Sequence, residues 1–147
     1  MHDIQFYTPN QTHHKMKNLN VKHALISSIV VYLIGITSYI GSYFVPLLED
    51  QDLQANLVLM IAIIPAVVIG ANLYYRKGYT TKGLLLGTVM FLGAMILDAL
   101  ITVPFFVMPY GGSYQSFFGD PGFWLIAIEY VAVVIIVSKL KFRLSSL

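Results

Sequence analysis

The chain has 147 residues, of which 57% are hydrophobic and only 11% are charged. Soluble domains carry about 25% charged residues, so this composition excludes an ordinary soluble globular protein. The formal net charge of +2 is too small to indicate a nucleic-acid-binding protein, and we expect no nucleic-acid partner. Because the chain has no Cys, thiol redox chemistry, thiolate metal sites and disulfides are excluded.

Four long apolar segments predict four transmembrane helices, because about 20 apolar residues are needed to cross the hydrocarbon core of a bilayer. Backbone polar groups must be paired inside lipid, so each span is expected to be helical. We therefore predict an all-α fold, a four-helix transmembrane bundle that forms a single domain over residues 21–147. The predicted spans are Ala24–Phe44, Leu53–Tyr74, Leu84–Met108 and Gly122–Ser138.

The basic residues are segregated along the chain. All nine Lys and Arg precede the first span, lie between the second and third, or follow the fourth. The positive-inside rule then predicts N-in, C-in topology, with both termini cytoplasmic and residues 1–20 forming a mobile cytoplasmic tail. In the turn between the second and third spans, Arg76, Lys77 and Lys82 are expected to face lipid headgroups. The other two loops carry acidic residues instead, namely Glu49, Asp50, Asp52 and Asp120.

Small residues recur at helical spacing along the first three spans. Membrane helices associate through such residues because they allow close approach of the backbones. We expect these positions to face inward, and packing against a second copy stays open as a further use. Pro65 and Pro104 are predicted kink points, since each removes a backbone donor. The predicted packing positions are Gly35, Ala62, Ala66, Gly70, Gly83, Gly87 and Ala94.

Two acidic residues, Asp98 and Glu129, lie inside predicted spans. A lipid-exposed carboxylate there costs about 2.5–3.5 kcal/mol, so both are expected to face the bundle interior. No Lys, Arg or His lies in a span to neutralise them, and burial without a counter-charge favours the protonated form. We expect at least one to be protonated near pH 7, and the two to titrate together if they touch. Nothing in the sequence selects among the possible hydrogen-bond donors Tyr32, Ser38, Tyr39, Asn72, Thr102 and Tyr130.

Other motifs indicate no catalytic chemistry. The four histidines lie in or beside the tail and lack the spaced partners of a metal site, so neither a metal nor a cofactor is expected. There is no nucleophile triad, phosphate loop or zinc-protease motif, and we expect the protein not to be an enzyme. The loop 109–121 combines glycines with four aromatic rings. It is expected to lie along the membrane interface, with a lid or a partner site as the alternative.

The run Gly87–Pro104, with Leu97-Asp98-Ala99 inside it, is followed by the segment Phe118–Leu125. Together they resemble a bacterial family of small four-helix membrane proteins that is known as a domain of unknown function. The resemblance covers most of the chain from the first span onward. It implies a prokaryotic inner-membrane protein and supplies no activity, substrate or catalytic residue.

Two hypotheses for the function stay open. In the first, a small and oligomeric transport or permeation protein uses Asp98 with Glu129 as a proton- or cation-sensitive site, since intramembrane acids serve proton and ion pathways. In the second, the chain is a non-catalytic accessory or structural subunit, and protonated acids stabilise helix packing by about 0.6–2 kcal/mol. Both predict a multi-pass protein of the plasma or inner membrane. Its partners are the lipid bilayer and either a second copy or another membrane protein.

Overall fold

The computed structural model describes residues 19–146, which contain helices and no strand. Four segments are long and apolar enough to cross a membrane, and the chain is therefore an all-α, multi-pass membrane protein, as predicted. The third span begins as an α-helix, continues as a π-helix over Asp98–Val107 and closes with a 3₁₀ turn, Met108–Tyr110. The α-helices are α1 (Val21–Ser42), α2 (Gln51–Tyr75), α3 (Gly83–Leu97), the short α4 (Tyr114–Phe118) and α5 (Pro121–Leu144).

Side-chain caps fix where three of the spans begin. Asn20 accepts a hydrogen bond from the His23 N–H at 3.1 Å, and Asp50 accepts one from Leu53 at 2.9 Å. Asp120 caps α5 in the same way, with Pro121 at the first helical position. Each cap satisfies a backbone donor that the first helical turn leaves unpaired. Residues 1–18, most of the predicted tail, lie outside the described residues, whereas Leu19 packs against the core.

The four long helices form a closed ring in which each contacts two neighbours. Helix α1 packs against α2 and α3, and α5 packs against the other sides of α2 and α3. Their shared core includes the fully buried Val31, Val67, Met90 and Val134. Tyr74 also lies in this core, where its hydroxyl bonds the Thr81 hydroxyl at 2.7 Å. A hydrogen-bonded tyrosine can be buried because its polar end is satisfied.

A single glutamine organises the connection between α1 and α2. The Gln54 amide nitrogen donates to the carbonyls of Ser42 at 2.7 Å and Val45 at 2.9 Å. Its oxygen accepts from the backbone N–H groups of Leu47 and Leu48. All the polar capacity of this buried side chain is therefore used to satisfy loop backbone that has no helical partner.

The predicted small residues lie at the closest helix contacts. A Cβ on Gly70 would lie 2.5 Å from Val31 of α1, and one on Gly83 would lie 2.8 Å from the Ile135 Cα of α5. Gly93 makes a comparable contact with Ser28 that the sequence did not single out. Of the other predicted positions, Gly35, Ala66, Gly87 and Ala94 are buried and Ala62 is half-buried.

Charge separates the two ends of the ring. Asn20 bonds the Tyr74 hydroxyl, and Tyr75 contacts the ring of Phe142, so α1 begins where α2 and α5 end. We call this the basic end, and the end that holds the α1–α2 loop the acidic end, with Glu49, Asp50 and Asp52. The described basic residues are Lys22, Arg76, Lys77, Lys82, Lys139, Lys141 and Arg143.

Replacing Gly83 by Ala is expected to lower the free energy of unfolding by about 1–3 kcal/mol, because the added methyl meets α5 backbone. The matched control is Gly41→Ala, where the same methyl meets nothing within 4 Å. That variant should be neutral or stabilised by up to about 1 kcal/mol, the propensity gain of Ala over Gly. Denaturant titration in micelles, followed by circular dichroism, measures both. Equal destabilisation of the two variants would contradict close packing at Gly83.

The cytoplasmic location of the basic end is a prediction that cysteine labelling can test, since the chain has no native Cys. We expect Glu49→Cys to react with a membrane-impermeant maleimide in intact cells. Ser145→Cys should react only after the membrane is permeabilised. The reverse pattern would place the acidic end in the cytoplasm.

Candidate functional site

Asp98 opens the π-helix near the middle of the third span and is half-buried. Its Oδ1 accepts a hydrogen bond from the Thr102 hydroxyl at 2.7 Å. The Thr102 oxygen lies 3.0 Å from the Tyr32 hydroxyl of α1. Because the single Thr102 proton is donated to Asp98, Tyr32 is the donor to Thr102. A chain of two hydrogen bonds thus joins Asp98 to a neighbouring helix and selects Thr102 and Tyr32 among the donors left open by the sequence.

The π-helix leaves one carbonyl without its backbone partner. In a π-helix the N–H of each residue bonds the carbonyl five positions earlier, so Pro104, which has no N–H, cannot serve Ala99. The Tyr114 hydroxyl donates to the Ala99 carbonyl at 2.9 Å. Tyr114 therefore replaces the donor that Pro104 lacks. The predicted kink point at Pro104 coincides with the π-helix, whereas α2 stays α-helical through Pro65.

Loop 111–120 folds back along the third span. Its short helix α4 packs against the π-helix and against α5. Phe118 helps to line a shallow apolar groove of about 220 Å³ with Met95 and Ile96, which lie near the middle of that span. The Trp124 indole N–H donates to the Phe118 carbonyl at 2.9 Å. Two of the four aromatic rings expected in this loop, Phe117 and Phe118, contact the ring of Phe123 in α5. The place of the loop along the membrane interface stays a prediction.

Glu129 lies on α5 and is half-buried. Its Oε2 atom is buried and has no hydrogen-bond partner among the described residues, and the same holds for the hydroxyl of the adjacent Tyr130. Buried polar atoms are nearly always paired, so these two atoms are exceptions among the described residues, together with the hydroxyl of Ser27. The sequence predicted Glu129 as a site residue, whereas Tyr130 was only one of six possible hydrogen-bond donors.

The structure does not bring the two acids into contact. The Tyr130 ring meets Phe91 of α3 at a centroid distance of 5.9 Å. Phe91 precedes Asp98 by seven residues, which is about 10 Å along a helix. No hydrogen bond joins Asp98 and Glu129 in residues 19–146, and Asp98 is bonded toward α1 instead. Coupled titration, predicted for touching carboxyls, is therefore not supported by this arrangement.

The remaining predicted positions lie at the surface. Arg76, Lys77 and Lys82 are exposed at the basic end, as a headgroup-facing role requires. Within residues 19–146 no group of three His, Asp or Glu side chains is placed to hold a metal ion.

A family model covers residues 47–140, which is more than half of the chain. The chain belongs to the family of unknown function DUF5367. The DUF5367 match begins after α1, so it is shorter at its start than the resemblance read from the sequence. It includes Asp98, Thr102, Tyr114 and Glu129 but not Tyr32. Neither the curated proteins nor the solved structures gave a match.

Replacing Thr102 by Val should destabilise the bundle by about 0.6–2 kcal/mol, the range for interhelical hydrogen bonds in membranes. The change leaves Tyr32 and Asp98 without their shared partner. Thr88→Val is the matched control, because that exposed hydroxyl bonds only the Leu84 carbonyl of its own helix. Thermal unfolding in micelles gives the comparison. If both valine variants unfold alike, the chain from Asp98 to α1 does not stabilise the bundle.

Proposed function

We propose that this membrane protein is a small proton- or cation-sensitive transport or permeation protein that uses Asp98 and Glu129. The observation that carries the proposal is the buried Glu129 Oε2 without a hydrogen-bond partner in residues 19–146. An acid inside a membrane span is costly and usually serves an ion or proton pathway. Asp98 supports the same function, because Thr102 is the one hydrogen-bond donor on its carboxyl group among the described residues.

The two acids would act as separate binding positions. Asp98 connects through Thr102 to Tyr32, a series of hydroxyl groups along which a proton can be handed on. Glu129 is next to Tyr130, whose ring contacts Phe91 of α3. Phe91 precedes Asp98 by about two helical turns. The groove that Phe118 lines with Met95 and Ile96 is apolar and does not join these positions. A homo-oligomer, in which a second copy completes the pathway, therefore belongs to the proposal.

The proposed setting is the plasma or inner membrane, with the basic end in the cytoplasm. The support is the separation of charge, since lysines and arginines cluster at one end of the ring and acidic residues at the other. Cytoplasmic loops of multi-pass proteins carry the excess of Lys and Arg.

A non-catalytic accessory or structural subunit is the second candidate. The observation that favours it is the hydrogen-bonded chain from Asp98 through Thr102 to Tyr32, which ties α1 to the third span. A protonated acid in such a chain stabilises packing without moving an ion.

Proton flux in liposomes that contain the purified protein and a pH-sensitive dye tests the transport proposal. We expect wild-type protein to raise the flux above that of empty liposomes. Asp98→Asn and Glu129→Gln should each lower it at least tenfold, because an amide cannot bind and release a proton. Glu49→Gln is the control, an exposed acid outside the spans. The same liposomes loaded with Na⁺ or K⁺ test a cation pathway.

Wild-type flux equal to that of empty liposomes for protons, Na⁺ and K⁺ would overturn the transport proposal. The thermal stability of the Asp98 variants then tests the second candidate, the structural subunit. As a structural subunit the protein should tolerate Asn at position 98, since the amide still accepts from Thr102, whereas Leu should lower the melting temperature.

A further inference from the structure

An apolar groove runs between α2 and α5 next to the basic end. Its volume is about 350 Å³, within the range of about 300–1,000 Å³ for small-molecule sites. The groove is independent of Asp98 and Glu129, neither of which lines it. Its walls include Ile64, Val68 and Asn72 from α2 and Val133, Ile136 and Lys141 from α5.

The dimensions of the groove match one leaflet of a bilayer. From Ile64 to Asn72 the α2 wall is about 12 Å long, and from Val133 to Leu144 the α5 wall is about 16 Å long, at 1.5 Å per residue. Half of a hydrocarbon core of about 30 Å is about 15 Å. An acyl chain that lies along the groove therefore extends from the middle of the bilayer to its surface.

The polar groups of the groove lie at its surface end. Phe142, next to Lys141, contacts the ring of Tyr75 where α2 ends, so Lys141 lies at the level of the helix ends. Asn72 lies one turn before that end and adds an amide to the same wall. A cation and an amide at the mouth of an apolar groove match the phosphate of a lipid whose chain lies inside.

No acidic side chain of residues 19–146 neutralises the positive charge at the surface end of the groove. Among residues 19–146, the basic end carries seven Lys and Arg and no acidic side chain, because the described Asp and Glu lie at the acidic end, inside spans or at the start of α5. Basic pockets between transmembrane helices bind anionic headgroups for this reason. The excess of positive charge favours an anionic lipid over a zwitterionic one.

We propose that the α2–α5 groove binds one anionic glycerophospholipid. One of its acyl chains lies between Val68 and Ile136, and its phosphate accepts hydrogen bonds from the Lys141 ammonium group and the Asn72 amide. The lipid thereby fills the groove on the surface where α2 and α5 pack together. The site stands on the groove and its charges alone, so it does not depend on the proposed transport function.

Native mass spectrometry of the full chain, released from detergent after exposure to equal amounts of phosphatidylglycerol and phosphatidylcholine with the same acyl chains, tests the headgroup. Wild-type protein should retain one phosphatidylglycerol in preference to phosphatidylcholine. Lys141→Gln should lower that retention about fivefold, the contribution of one lysine at an anionic surface. Lys139→Gln removes the same charge from an exposed residue outside the groove and should retain the lipid.

A second pair of variants tests the acyl-chain position. Ile136→Trp fills the groove and should abolish retention of the lipid, whereas Ile128→Trp adds the same bulk at an exposed position of α5 outside it. Both side chains are more than half exposed, at 56% and 68%, so folding should survive both changes. Equal losses from Lys139→Gln and Lys141→Gln, or no preference for phosphatidylglycerol, would overturn the proposal. So would a dimer that Ile136→Trp disrupts, since a second copy would then occupy the groove.

Discussion

Helices surrounded by lipid gain nothing from the hydrophobic effect when they associate, so the bundle depends on close contacts between backbones. Gly70 and Gly83 provide them, the first toward α1 and the second toward α5. Both lie where an added methyl would meet a neighbouring helix. Because α2 and α3 each contact both remaining helices, these contacts close the ring and hold the buried tyrosine and threonine side chains at fixed distances.

The second constraint is that every backbone polar group inside a membrane needs a partner. Where the helices are regular, this need is met within each span, except at Pro65, which has no N–H to donate. In the π-helix the Tyr114 side chain meets it, and Gln54 does the same for the backbone of the α1–α2 loop at the acidic end. The same requirement gives Glu129 its importance, since its buried oxygen is one of the few polar atoms left without a partner in the described part of the chain.

Apolar length alone made the four spans predictable, because the thickness of a bilayer fixes how many residues a span needs. Small residues at helical spacing also pointed to Gly70 and Gly83. The sequence did not reveal the bonds from Asp98 through Thr102 to Tyr32, since residues 70 positions apart come together only through the packing of the ring. The fourth span was ended too early, at Ser138, because α5 continues through Lys139 and Lys141 beyond its apolar part. Charged residues end an apolar run, but they do not end a helix.

The bond between Tyr114 and Ala99 has a consequence for biosynthesis. A chain emerges from the ribosome N-terminus first, so Pro104 and the rest of the third span emerge before Tyr114 does. During that interval the Ala99 carbonyl has no donor from its own helix, and an unpaired carbonyl in hydrocarbon costs several kcal/mol. The third span is therefore less stable as a newly inserted helix than as part of the finished protein. The pairing of its backbone is completed when Tyr114 docks against Ala99.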